Sequence, residues 1–93
     1  MAIREYIKSG TSTNADEKVS FGFTARQITV INDATGSDTT DTMYISETSA
    51  FTATSTYTRK AGEFFTKPLV WESLYFKFGS TATAGKAYRI EVE

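Results

Sequence analysis

Apolar residues alternate with polar or small ones in several short stretches, which is the pattern of strands that bury one face. Val19, Phe21 and Phe23 show this period of two, and it returns in the last eight residues of the chain. An apolar period of 3.6, which would indicate an amphipathic helix, does not occur. The pattern predicts strands over residues 17–23, 27–32, 42–47, 50–58, 63–66, 69–78 and 86–93.

The stretch from residue 69 to residue 78 is apolar on both of its predicted faces. Its apolar residues are Val70, Leu74, Phe76 and Phe78 on one face and Leu69, Trp71 and Tyr75 on the other. A strand of this kind is central in its sheet, or a partner covers its second face. We therefore take Trp71 and Tyr75 as candidate interface residues.

Turn-forming residues separate the predicted strands at a spacing of about ten residues. Residues 32–41 read as a loop, and Thr24–Ala25–Arg26 is short enough to be a hairpin turn or a kink within one long strand. Regularly spaced short strands with such connections are typical of antiparallel folds. The expected fold is an all-β antiparallel β-sandwich or small barrel of about seven to eight strands.

The first 16 residues combine a few apolar side chains with a polar tail, which predicts a flexible N-terminal arm. The β-sandwich domain is then expected over residues 17–93. Ile3, Tyr6 and Ile7 are the candidate anchors by which such an arm would contact a neighbouring protein, gaining order as it binds. The alternatives are a frayed terminus or an added edge strand over Ile3–Ile7.

The residue types present bound the chemistry that this chain can carry out. Its 93 residues suit one domain, and they include neither histidine nor cysteine, so the commonest general base, a thiol nucleophile and the best zinc ligands are missing. Glu63 and Glu72 are the only candidates for a catalytic carboxylate pair, and exposed positions suit them better. We therefore predict a protein that is not an enzyme and needs no cofactor.

Charge and hydropathy narrow the class of partner. Ten basic and eleven acidic residues are scattered along the chain, without the basic excess expected of a nucleic-acid-binding protein. No secretory signal and no apolar run of about 20 residues is visible, so we expect a soluble protein that does not bind membranes and is made in the cytoplasm.

Three further patterns carry binding hypotheses with plainer alternatives. The oxygen-rich loop residues are candidate calcium ligands or ordinary turn formers: Asn32, Asp33, Asp38 and Asp41. A threonine row at positions 52, 54, 56 and 58 is either an ice-binding array or a solvated strand face. Trp71, Tyr75 and Tyr57 would form either a platform for sugar rings or a packed interface.

A run of residues resembles the opening of small β-rich structural proteins from the virions of tailed bacteriophages. It is Phe21-Gly22-Phe23-Thr24-Ala25-Arg26-Gln27-Ile28-Thr29-Val30-Ile31-Asn32-Asp33. Later parts of the pattern are Gly62-Glu63, Leu74-Tyr75-Phe76 and Tyr88-Arg89-Ile90, so that the resemblance covers about residues 17–93. The stretch from residue 34 to 42 is longer here than in that pattern.

The resemblance implies a virion structural protein, made in the cytoplasm of a host bacterium. It would be a capsid decoration or cement protein that stabilises the phage head by contacts with the major capsid protein or another virion protein. A homo-oligomer is expected, since identical subunits usually close into symmetric clusters. The alternatives are a neck or tail component and a small carbohydrate- or receptor-binding module.

Overall fold

A computed structural model describes residues 4–93. Within this range the chain forms eight strands and one short 3₁₀ helix at Thr39–Asp41. The strands are β1 (Tyr6–Thr11), β2 (Glu17–Ser20), β3 (Ile28–Asn32), β4 (Met43–Ser46), β5 (Tyr57–Arg59), β6 (Phe64–Lys67), β7 (Ser73–Phe78) and β8 (Ala87–Val92). No helix among the described residues is long and apolar enough to span a membrane.

The strands form two four-stranded antiparallel sheets, so the expected all-β sandwich is confirmed and a closed barrel is not formed. Sheet I has the order β1-β8-β3-β6, and sheet II has the order β2-β7-β4-β5. Strands pair from the chain ends inward, as β1 with β8, β2 with β7, β3 with β6 and β4 with β5. A long hairpin wrapped into two sheets in this way is the jelly-roll arrangement.

The core lies between the two sheets and is filled from alternate positions of each strand. β7 and β8 show strict alternation, and their inward side chains are buried. The inward residues of these two strands are Leu74, Phe76, Phe78, Tyr88, Ile90 and Val92. The ring centroids of Phe76 and Tyr88 lie 4.5 Å apart, so the two sheets are joined by aromatic packing across the core.

The N-terminal segment differs from the expected flexible arm over residues 1–16. Residues Tyr6–Thr11 pair with β8 along six registered positions and form an edge strand of sheet I. Buried Ser12 extends this attachment, because its hydroxyl donates to the Thr83 carbonyl at 2.7 Å and accepts from the Lys86 amide at 3.0 Å. The sandwich therefore begins before residue 17, and the alternative of an added edge strand is the one realised over residues 6–11.

The connection between β2 and β3 is neither a hairpin turn nor a kink within one sheet, because it carries the chain from sheet II to sheet I. The Ala25 amide donates to the Trp71 carbonyl at 2.7 Å, next to β7. One residue later, the Arg26 amide donates to the Glu93 carbonyl at 2.6 Å, next to β8. The chain therefore changes sheets between residues 25 and 26.

Three predicted strands are shorter in the structure by three residues or more. The strand predicted over residues 17–23 ends at Ser20. Of residues 50–58, only Tyr57 and Thr58 belong to a strand, and residues 53–55 form a turn. The strand predicted from residue 69 begins at Ser73, so Val70 does not join the core and is 71% exposed. β7 is nevertheless central in sheet II, which confirms one of the two interpretations of its apolar faces.

Candidate interaction surfaces

The candidate interface residues do not come together on one surface. Tyr6 points inward, and its ring packs at a tilted angle against Phe21. Its neighbour Ile7 is 53% exposed on the outside of sheet I. Trp71 packs against the core at the sandwich edge, and Tyr75 lies on the outside of sheet II. Ile3 lies outside the described residues.

The outer side of sheet I, here called face I, has a mixed polar and apolar character. It presents Ile7, Ser9, Thr11, Thr29, Ile31, Phe64, Thr66, Ala87, Arg89 and Glu91. Cross-strand register arranges its centre in two rows. One row runs Ile7–Glu91–Thr29–Thr66, and the next runs Ser9–Arg89–Ile31–Phe64.

Apolar exposure on face I centres on edge strand β6. Phe64 is 64% exposed and lies opposite half-buried Ile31 of β3. Ile7, on the far edge strand, faces the same side. Together with Val70 in the loop after β6, Ile7 and Phe64 are the exposed large apolar residues of the described chain. Two of these three residues, Ile7 and Phe64, therefore share the outer face of sheet I.

The polar groups of face I are paired with one another. Arg89 Nε donates to Glu91 Oε2 at 2.6 Å, and both side chains are partly exposed in the middle of the face. The hydroxyls of Thr29 and Thr66 are joined by a hydrogen bond of 2.9 Å. An exposed ion pair of this kind contributes at most about 1 kcal/mol to stability, so its removal should leave the fold intact.

The outer side of sheet II, here called face II, combines lysines with aromatic rings. Lys18 lies over the ring of Tyr75, with Nζ 5.8 Å from the centroid. Lys77 lies over both Tyr44 and Phe51, at 6.0 and 4.5 Å. The ionised side chains among these residues are all cationic, and the contacts are cation–π interactions of modest strength.

Trp71 belongs to an aromatic cluster at the β5–β6 edge of the sandwich. The Tyr57 ring is 5.4 Å from Phe65 and 6.2 Å from Trp71. Arg59 lies over Phe65 at 4.9 Å, and Lys67 lies over Tyr57 at 5.3 Å. These cations cover the rings, and Tyr75 is not part of the cluster. The proposed sugar platform of Trp71, Tyr75 and Tyr57 is therefore not assembled.

The candidate calcium loop is held together by internal hydrogen bonds. Fully buried Asn32 donates through Nδ2 to the carbonyls of Asp41 at 2.7 Å and Arg59 at 2.9 Å, and its Oδ1 accepts from the Ala34 amide at 3.0 Å. Buried Asp41 forms an ion pair of 2.7 Å with Lys86. Its second carboxylate oxygen accepts from the amide of Asp38 at 3.0 Å.

The ammonium of Lys86 is the cation that this loop binds in the structure. Its hydrogen bond to the Asp41 carboxylate holds the pKa of Asp41 below its usual range, against burial, which acts in the opposite direction. Asp33 and Asp38 are exposed. Residues 4–93 contain no group of three or more acidic side chains placed to hold a metal ion.

The remaining candidates of the sequence lie apart. Exposed Glu63 accepts from the Lys60 amide at 2.6 Å in the turn before β6, and exposed Glu72 contacts Thr24 near the start of β7. The two carboxylates line separate surface depressions, not one cleft. The threonine row also does not form an array, because residues 53–55 lie in a turn and only position 58 of the row belongs to a strand.

Phe64 and the Arg89–Glu91 pair are surface features that the sequence interpretation did not single out. A signal for Phe64 was present: Phe64 and Phe65 are adjacent in a strand, so their side chains must point to opposite faces. Phe65 is buried, which leaves Phe64 outside. Arg89 and Glu91 alternate with buried residues of β8 and therefore point outward, but their pairing depends on rotamers that the alternation of a strand does not define.

Comparison with known proteins gives no relative for this chain: no protein-family model, no curated protein and no solved structure matches it.

Proposed function

We propose that this protein is a virion structural protein, a capsid decoration protein that stabilises a phage head by binding neighbouring virion proteins through face I. The observation that carries the proposal is the exposure of Phe64 beside Ile31 on the outer face of sheet I, with Ile7 on the same face. Single exposed apolar residues are common on protein surfaces, whereas adjacent ones on a rigid sheet offer a binding surface.

The exposed area of Phe64 is large enough to contribute substantially to the free energy of binding. A buried aromatic side chain removes about 200 Å² from water, so a Phe64 that is 64% exposed still presents about 130 Å². At about 25 cal/mol per Å², covering it contributes about 3 kcal/mol. That is the size of a binding hot spot, which is enough for one side chain to dominate a small interface.

The fold and the sequence resemblance support a virion as the setting of this binding surface. Viral capsid proteins are among the proteins that use jelly rolls, although the fold is shared with lectins and by itself assigns no function. The resemblance to bacteriophage virion proteins adds the particle as the setting and the major capsid protein as the partner. A neck or tail component would use the same surface against a different neighbour.

Co-sedimentation with purified phage particles tests the proposal. Wild type should pellet with particles, and Phe64→Ser should lose most of the binding because it removes the largest exposed apolar group of face I. Tyr75→Ser on face II is the matched control and should bind as wild type does. Retained binding by Phe64→Ser, or loss by Tyr75→Ser alone, would contradict the proposal. Deletion of residues 1–16 is less informative, since it removes β1.

A glycan- or receptor-binding module is the second candidate, and one observation favours it. A surface depression of about 380 Å³ near β2 is lined by Phe23 and the hydroxyl of Thr24, with Lys18 and Glu72 beside them. An aromatic ring among converging polar groups is the composition of many sugar sites. Glycan-array binding that disappears in Phe23→Ala, with Phe64→Ser unaffected, would favour this candidate over decoration.

A further inference from the structure

We infer that face I packs face to face on face I of a second copy of this chain. The two copies are related by a two-fold axis that runs parallel to the sheet and perpendicular to its strands, so that Arg89 of each copy lies against Glu91 of the other. The inference rests on the proposed function, because it names the first occupant of the surface to which that function is assigned.

The arrangement of charge on face I is self-complementary. Arg89 and Glu91 project from the same side of β8, two residues apart, in neighbouring rows of the face. A two-fold axis that passes between the rows and across the strands exchanges the two positions. Each carboxylate then lies against a guanidinium of the other copy, and the two internal ion pairs merge into one four-membered network.

The same two-fold rotation places the other side chains of face I opposite compatible neighbours. It places Phe64 of one copy over Thr66 of the other, and Ile31 over Thr29, so that apolar groups cover the threonine methyls. The acidic residues Glu5 and Glu93 lie at one end of face I, near Ile7. The axis moves them opposite Thr11 and Ala87, so no carboxylate faces another.

Face II is less suited to pair with itself. Lys18 and Lys77 are cationic, and Glu72 lies beside Lys18 at one end of the face, so an excess of positive charge opposes the pairing of two such faces. Packing of face I on face II is heterologous and would leave open surfaces at both ends of each pair. A closed two-fold pair through face I is the arrangement that the charges favour, and it is the commonest symmetry of soluble oligomers.

The size of face I makes this a weak dimer in solution. Four strands spaced about 4.8 Å apart, with four rows spaced about 6.7 Å apart, cover about 500 Å², which is well below the roughly 800 Å² per partner in a standard interface. Association should therefore be seen at high protein concentration.

Sedimentation equilibrium of the purified protein, from micromolar to millimolar concentration, tests the inference by charge reversal. Wild type should show concentration-dependent dimers that weaken with added salt. Arg89→Glu makes the centre of the face wholly acidic and Glu91→Arg makes it wholly basic, so each variant alone should associate at least about tenfold more weakly. An equimolar mixture of the two variants should form dimers again, and so should the double variant Arg89→Glu/Glu91→Arg.

Two controls separate this result from its alternatives. Lys18→Glu reverses a charge on face II and should leave self-association unchanged, and urea midpoints should show that every variant is folded. Wild type that is monomeric at all concentrations, or a mixture that gains nothing over its components, overturns the inference. If that occurs while Phe64→Ser still loses particle binding, face I takes a different protein, so the proposed function stands and only the self-association fails.

Discussion

Replacement of Asn32 by leucine should destabilise the fold more than its single amide suggests. Asn32 is fully buried, and its side chain makes three hydrogen bonds to the main chain, at Ala34, Asp41 and Arg59. Leucine has a similar volume but leaves the carbonyls of Asp41 and Arg59 and the amide of Ala34 without these partners. At about 1 kcal/mol for each net hydrogen bond, the loss is about 3 kcal/mol. Small domains have only about 5–15 kcal/mol of stability, so this loss is a large fraction.

Urea unfolding at neutral pH, followed by circular dichroism, measures this loss. Asn32→Leu should lower the midpoint with little change in the slope, because the surface exposed on unfolding is nearly the same. Thr29→Val is the matched control: it removes one exposed hydrogen bond, to Thr66, and should cost less than about 0.5 kcal/mol. A loss below about 1 kcal/mol for Asn32→Leu would show that these three hydrogen bonds contribute little to stability, because the buried main-chain groups would then find other partners.

Three further predictions concern the core and the Asp41 site. A Cβ on Gly36 would overlap the Asp41 carboxylate, which its own ion pair and hydrogen bond hold in place. Gly36→Ala should therefore lower the free energy of unfolding by about 1–3 kcal/mol through overpacking, which is seen as a lower thermal midpoint. Lys86 lowers the pKa of Asp41, so the stability contributed by this ion pair is present at neutral pH and is lost as the pH falls below about 4. Between pH 7 and pH 3, the urea midpoint of Lys86→Met should therefore fall less than that of wild type. Ile90→Ala in the core should cost about 2–5 kcal/mol in urea unfolding, whereas Ile31→Ala on face I should cost less.

The strands that could be predicted from the sequence are those with a strict period of two. The last strand and the strand beginning at residue 17 were predicted with the right faces, because alternation directly reports which side chains are buried. The region of residues 50–56 shows where alternation fails. The Thr56 hydroxyl donates to the Thr52 carbonyl at 2.7 Å and the Ser55 amide donates to the same oxygen at 3.2 Å. Local bonds of this kind compete with the ladder of a strand.

The sheet assignment could not be predicted, because a period of two identifies a buried face but not the sheet that buries it. The change of sheet after Ala25 depends on main-chain bonds to β7 and β8, both of which come some 45 residues or more later in the chain. The expected N-terminal arm was wrong for residues 6–11 for a related reason. A polar edge strand gains its stability from pairing with β8 and not from its own apolar content.

The candidate surface was only partly predictable. Ile7 was identified from its apolar character and lies on face I, whereas Trp71 and Tyr75 were placed on one face of a strand that begins after Trp71. Exposure of Phe64 follows from two adjacent aromatics in one strand, but its position opposite Ile31 depends on the β3–β6 register. Register between strands 37 residues apart in sequence is a tertiary property, so no local pattern reveals it.

Hydroxyl-radical footprinting of the free protein and of the protein bound to particles tests the assigned contact surface most directly. The chain supplies natural reporters on both sides: Phe64 on face I, and Tyr44 and Tyr75 on face II. If face I contacts the particle, oxidation of Phe64 should fall sharply on binding, while oxidation of the two tyrosines should change little. Unchanged oxidation of Phe64, with protection of the tyrosines, would show that contact is made through face II and would contradict binding through face I.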